Sequence, residues 1–217
     1  MKILCVSDQI DPLVYSNSIK QRYADVDIIL SAGDLPMDYI DFIVSSLNKP
    51  LYFVIGNHHT GFPYNKSENL SLEYDIEIHY CGATYIDTKV KNEEGLLIAG
   101  LGGCMRYNQG ENQFSDFQMK MRILKLLPAL VFNRLFRGRF LDILLTHASP
   151  LGIHDRDDKC HRGFKCFLWF MRVFKPRYLI HGHIHLYDLS EVRTTKYHST
   201  LVVNAYSHYL LDMGATA

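Results

Sequence analysis

The sequence predicts an α/β fold, on three observations. Short apolar runs alternate with helix-like segments twice in the first quarter of the chain, the mark of a parallel sheet with crossover helices. Five of the apolar runs along the chain end in a glycine or a polar side chain, as strands do when a sheet presents chemistry at their tips. The last quarter breaks into short β-like pieces, and two layers of sheet flanked by helices accommodate both the parallel start and that ending.

Taken in order, residues 2–7 read as a first strand closed by Asp8. A polar loop with Pro12 leads to a short helix over 18–23, then to a second strand, 27–31, ending in Gly33-Asp34-Leu35-Pro36. Residues 37–47 place Ile40, Ile43, Val44 and Leu47 on one helical face. The third strand, 51–55, stops at Gly56-Asn57-His58-His59, and 61–75 is a turn-rich loop. Residues 83–88 and 96–101 read as a strand pair joined by the polar turn 91–95. A Gly-rich bend precedes 114–136, which is helical in composition with an expected break near Pro128. A strand over 141–145 delivers His147, and 149–163 is irregular and dense in Asp, His and Arg. An aromatic helix, 164–174, leads to a strand over 178–180 that ends in His181-Gly182-His183-Ile184-His185. Short β pieces follow at 187–192, 201–204 and 208–211. Without a linker, 1–217 reads as a single domain.

Lys plus Arg number 23 and Asp plus Glu 23, so global charge singles out no partner class. The N-terminus opens directly on a strand, without the basic and apolar regions of a signal peptide. The apolar-rich stretch 126–145 is interrupted by Arg134, Arg137 and Arg139, so no membrane segment is expected. Five cysteines (Cys5, Cys81, Cys104, Cys160 and Cys166) without a C-x-x-C pair suggest reduced thiols in a cytoplasmic protein.

The strand ends Asp8, Asp34, Asn57-His58, His147 and His183-x-His185 make a metal centre the leading reading. Alternating residues on an extended segment face one way, which would aim His183 and His185 together. The order Asp8-Gln9-Ile10, Gly33-Asp34, Gly56-Asn57-His58-His59, Thr146-His147, Gly182-His183-Ile184-His185 resembles the calcineurin-like metallophosphoesterases, in particular their small bacterial-type single-domain members. That resemblance implies a four-layer α/β/β/α sandwich and hydrolysis of phosphate mono- or diesters. It implies two divalent ions (Mn, Fe or Zn), held about 3.5–4 Å apart, which clamp the reacting phosphate and activate a water. Asp34 would bridge them, one ion taking Asp8 and His185, the other Asn57, His147 and His183. His58 would protonate the leaving alkoxide. Ile10 stands where the family has His, and His59 where it has an acid. Asp11 is a candidate to fill the gap left by Ile10, and a structural residue before Pro12 otherwise. Ile10 also keeps open a second reading: a binding module that retains the fold without efficient catalysis, like the related retromer subunit.

The partner expected is a phosphate-ester substrate; nucleic acid or a nucleotide has no support beyond scattered Lys and Arg, and oligomeric state is not legible. Lys and Arg segregate without acids in 117–141 and 159–177, as solvated helix faces or as an anion-attracting region. Arg106-Tyr107 and His161-Arg162 are within the segments that could reach a phosphate. His154, Asp155, Asp157 and Asp158 read as a solvated loop, Cys160, His161 and Cys166 as an incomplete zinc set, and His79, His198 and His208 as structural.

Overall fold

The computed structural model describes residues 1–58, 79–80, 82–188 and 190–214. His59, Cys81 and the loop expected over 61–75 lie outside the described residues, as does the side chain of His79.

Strand β1 (Lys2–Ser7) shows how the layers arise. Ile3 and Cys5 face one apolar cluster while Leu4 and Val6 face another, because successive side chains of a strand point to opposite sides. The helix α1 (Ile19–Arg22), strand β2 (Ile28–Ser31), helix α2 (Met37–Leu47) and strand β3 (Leu51–Phe53) complete the expected first quarter. Strands β4 (His79–Tyr80) and β5 (Ala83–Tyr85) close this sheet in the order β4, β5, β3, β2, β1. Its other edge is β14 (Ser207–Asp212), antiparallel to β1.

The second sheet is built from β6 (Val90–Glu93), β7 (Leu96–Leu101), β10 (Ile143–Thr146), β11 (Tyr178–His181), β12 (Thr194–Tyr197) and β13 (Thr200–Asn204), in the order β12, β13, β11, β10, β7, β6. A two-stranded ribbon, β8 (Cys104–Met105) with β9 (Gln113–Phe114), follows β7. Each six-stranded sheet has four parallel strands with an antiparallel strand at either edge.

Three apolar clusters separate four layers. Ile3, Cys5, Ile28 and Leu30 meet Ile98, Ile143, Leu145 and Ile180 between the sheets. Leu4, Val6 and Ile29 pack against Tyr39, Ile40 and Ile43 of α2 on one outer face. Leu97, Ala99, Leu144 and Leu179 pack on the other against α3 (Asp116–Arg137) and α4 (Lys165–Phe174). The α/β/β/α layering follows from these contacts.

Several sequence expectations change. The turn expected over 91–95 is only Glu94-Gly95, both with positive φ (46° and 94°), as a two-residue hairpin requires. The strand paired to β7 is therefore β6, while 83–85 belongs to the other sheet. No strand forms over the described part of 187–192, because the Glu191 carboxylate takes the backbone N–H of Tyr187 and Asp188 and holds a loop. Helix α3 runs unbroken through Pro128. Pro128 is solvent-exposed, and burial of Met119, Ile123, Leu126 and Leu130 on both sides of it holds the two halves in line. The start of α3 is fixed by a reciprocal capping box between Ser115 and Gln118. Its opposite face is apolar but open: Phe117, Phe132, Leu135 and Phe136 stand in solvent, so α3 is only on one side the core-packing helix its composition suggests.

Candidate metal centre

The C-terminal ends of parallel strands in both sheets converge, and the site is assembled there from chain reversals rather than from any one element. Asp8 follows β1, Asp34 lies just past β2, and His183 lies two residues past β11. All three have left-handed backbones, φ 62°, 55° and 66°. Non-glycine residues at such angles cost roughly 1–3 kcal/mol each and gather at functional sites. Asn57 follows β3 and His147 follows β10.

Glycines make the approach possible. A Cβ on Gly56 would sit 2.2 Å from Asp34 Oδ1 and 2.4 Å from His147 Cε1. On Gly182 it would sit 1.8 Å from Ser7 Oγ and 2.5 Å from Asp8 Oδ2. The glycines that precede Asn57 and His183 are therefore steric requirements of the site, not only turn formers.

Asp34, His147 and His183 offer ligand atoms that all lie within 4.8 Å of one another, with both histidines buried. His147 Nδ1–H donates to the Ala32 carbonyl at 2.8 Å. That leaves Nε2 to face Asp34 Oδ2 and Asn57 Oδ1, each at 3.2 Å. Asn57 is turned by its own Nδ2, which donates to the Tyr107 hydroxyl at 3.2 Å. His183 Nε2–H donates to the Cys160 carbonyl at 2.7 Å, freeing Nδ1. Histidine ligands are held in this way, by one ring N–H donated to a carbonyl. A carboxylate, an amide oxygen and two imidazole lone pairs gathered out of solvent fit a divalent cation of the Mn, Fe or Zn kind.

The electrostatics agree. Burial alone would lower the His147 pKa, but the charge and hydrogen bond of Asp34, then Asp8, outweigh it and lift the group to about 9. Burial, reinforced by the His147 charge, pushes His183 down to about 3. Burial likewise raises the carboxyl of Asp8.

The second half of the expected ligand set is looser. Asp8 Oδ2 accepts from Ser7 Oγ at 2.5 Å and from the His183 backbone N–H at 2.9 Å. Asp8 Oδ1 faces His185 Nε2 at 3.9 Å. His185 is stacked on Tyr206, with centroids 4.9 Å apart. Ile10 is 41% exposed. Asp11 does not turn toward this gap: its carboxylate accepts from the Leu13 N–H, Ser207 Oγ and His208 Nδ1. His208, read from sequence as structural, is the partner that ties Asp11 to β14. His58 lies exposed at the rim, and its backbone N–H donates to Asp34 Oδ1 at 3.0 Å.

Sequence reasoning missed Ser7, which orients Asp8 and carries no signal beyond adjacency to a motif, and it singled out Arg106-Tyr107 for a phosphate, whereas the Tyr107 hydroxyl accepts from Asn57 and orients it. It also missed a chain of neutral groups behind the site. Thr195 Oγ1 donates to His154, His154 Nδ1–H to His181 Nε2 at 2.9 Å, and His181 Nδ1–H to the Gly182 carbonyl. Burial lowers these two imidazoles to about 4 and about 3. Asp155 and Asp158 are not free acids but fold their loop, accepting from the backbone N–H of Gly152, Gly163, Cys160 and His161. Cys160, His161 and Cys166 form no metal-binding cluster among the described residues.

Residues 1–187 match the sequence model of the family described as calcineurin-like phosphoesterase. No curated protein matches the chain. One solved crystal structure aligns over 100% of this chain and 96% of its own, with a TM-score of 0.68 at 14% identity. TT1561 of Thermus thermophilus aligns over 99% of this chain and 95% of its own, with a TM-score of 0.65 at 14% identity. GAP50 of Plasmodium, described as the anchor in the inner membrane complex, aligns over 94% of this chain and 70% of its own, with a TM-score of 0.51 at 12% identity. At these identities the structures speak to the fold.

Proposed function

The chain belongs to the calcineurin-like phosphoesterase family, and from that premise we propose that it hydrolyses phosphate mono- or diesters with divalent ions held at the sheet ends. The observation that carries the reading is the buried meeting of Asp34, Asn57, His147 and His183, with both imidazoles fixed by carbonyls. Those four residues would hold one ion; Asp8 and His185, with Asp34 shared, would hold a second. Bound there, divalent ions supply Lewis acidity to the phosphate and to a water nucleophile.

The chain's own residues do the positioning. Asp34 is locked between the His58 N–H and the His147 ring. Tyr107 and Ala32 set the directions of the Asn57 oxygen and the His147 lone pair before any ligand arrives. His58, anchored to Asp34 through its backbone but with an exposed side chain, is free to give a proton to the leaving oxygen. His59 lies outside the described residues.

A second reading, a binding module that keeps the fold, draws on one observation: apolar Ile10 leaves the Asp8 side short of a ligand. The test is elemental analysis of the purified protein, then hydrolysis of a phenyl monoester and a bis-phenyl diester with added Mn. Hydrolysis that chelator abolishes and Mn restores is the expected result. Bound metal with neither ester cleaved would favour the second reading.

A further inference from the structure

Beside the metal centre, a cavity of about 390 Å³ lies between the starts of α3 and α4, with Arg106, Lys159, Arg162 and Lys165 and one acid, Asp116, in its wall. We infer that this cavity is a second anion subsite, and that the substrate carries another anionic group besides the phosphate that reacts. The inference rests on the phosphoesterase reading for which phosphate reacts; the subsite itself stands on the cavity's own residues.

Three observations support it. First, the wall is continuous with the metal centre through the backbone. Arg106 adjoins Tyr107, which holds Asn57. Lys159 adjoins Cys160, whose carbonyl holds His183, and Arg162 adjoins His161, whose ring centroid lies 5.3 Å from that of His183. An ester seated on the metal ligands therefore has this cavity next to it.

Second, cations outnumber acids in the wall by four to one. Lys159, Arg162 and Lys165 have exposed side chains and no carboxylate partner among the described residues. Arg106 donates only to neutral groups, the Gln113 carbonyl and Gln118 Oε1. Of the nearby acids, Asp116 accepts the Cys166 N–H, Asp155 and Asp158 accept loop backbone N–H groups, Asp158 also meets the His161 ring, and Asp157 is exposed; Asp116 alone lines the cavity, against four cations. In the same basic stretches two residues are neutralised, Arg122 by Asp87 and Arg139 by Asp142. Of the charge that segregates in the sequence, the part left unpaired includes this wall.

Third, the backbone of the loop that carries two of the cations is fixed by its own contacts. The loop that carries Lys159 and Arg162 is pinned by Asp155 to Gly152 and Gly163 and by an isolated bridge between Pro150 and Phe164. Gly163 packs so closely that a Cβ would sit 2.5 Å from the Pro150 carbonyl. A concave site on a pinned loop, lined mostly by cations, suits a phosphate or carboxylate.

The test measures binding to the full chain loaded with Mn, using alkyl monophosphates and α,ω-alkane bisphosphates of three to six carbons at fixed ionic strength. At least one bisphosphate is expected to bind tenfold or more tightly than the monophosphate of the same length. That ratio should fall to about two in Lys159→Gln/Arg162→Gln/Lys165→Gln, and Arg162→Lys alone should keep most of it. Equal affinities for both ligand series at every length, or a preference that survives in a triple variant with unaltered thermal unfolding, overturns the subsite. Because binding is read by calorimetry, failure of ester hydrolysis leaves this measurement standing, and failure of the bisphosphate preference leaves the hydrolysis result standing.

Discussion

Gly56→Ala isolates the steric argument for the metal centre. Ordinary contact begins at 3.4 Å, so Asp34 Oδ1, at 2.2 Å from the new Cβ, must withdraw by about 1.2 Å, and His147 Cε1, at 2.4 Å, by about 1.0 Å. Neither can yield easily, because Asp34 is bonded to the His58 N–H and His147 to the Ala32 carbonyl. Metal sites tolerate about 0.2 Å of error in ligand distance, so displacement of two donors should weaken Mn binding by about a hundredfold or more. Folding stability should change far less. Crowding costs about 1–3 kcal/mol, and the reduced freedom of the unfolded chain returns about 0.4–1 kcal/mol. Gly56 has no positive φ to add strain. Calorimetric titration of metal-free protein gives the affinity, and urea unfolding gives the stability. Unchanged Mn affinity in Gly56→Ala would refute the close approach of Asp34 and His147 on which the centre depends.

Four further outcomes follow from the same geometry. His147 is lifted from 6.5 to about 9, so its proton stabilises the metal-free fold fully below pH 6.5 and that contribution is lost as pH rises through about 9; urea unfolding across this window should show the decline, and His147→Asn should flatten it. Burial would raise Asp11, but hydrogen bonds from Ser207, His208 and Leu13 outweigh it and hold its carboxyl below the usual range, so Asp11→Asn should cost about 1–3 kcal/mol of stability with Mn affinity unaltered, and a loss of metal would show that Asp11 is a ligand after all. Mn titration of the unmodified protein should resolve one tight and one weak site, and Ile10→His should tighten the weak one by tenfold or more; two equal sites before substitution would contradict the looseness seen around Asp8. His58→Ala should lower turnover of a poor-leaving-group ester by about a hundredfold with metal content retained, and undiminished turnover would remove His58 from the reaction.

Much of the fold was legible because its strands carry their own pattern. β1, β2, β7 and β10 alternate between two apolar faces, and that alternation is written residue by residue. The bounds of α2 are likewise set by local spacing and by the left-handed Asn48 that ends it. Local reasoning failed where a long-range partner decided the outcome. Thr194–Tyr197 is too polar to look like a strand, yet it pairs with β13. Residues 83–88 and 96–101 look like a hairpin, and only the stacking of two sheets separates them. Pro128 looks like a break, and only the packing of α3 on the second sheet overrides it.

The same division runs through the site. Which residue types stand at the strand ends can be read without the fold, because glycine followed by Asp, Asn-His or His-x-His marks places where a parallel sheet stops and turns. So can the inability of Ile10 to ligate, since a side chain without a lone pair has none in any fold. The tertiary structure decided which nitrogen of each histidine is free, because the carbonyls of Ala32 and Cys160 that take the other N–H lie 115 and 23 residues away in the chain. It decided that Asp11 serves β14 rather than the metal centre, through contacts 196 and 197 residues distant. It decided, too, that Arg106, Lys159, Arg162 and Lys165 share one cavity while Arg122 and Arg139 are neutralised. Charge and donor type are properties of a residue; free lone pairs and uncompensated charge depend on neighbours that only the folded chain brings together.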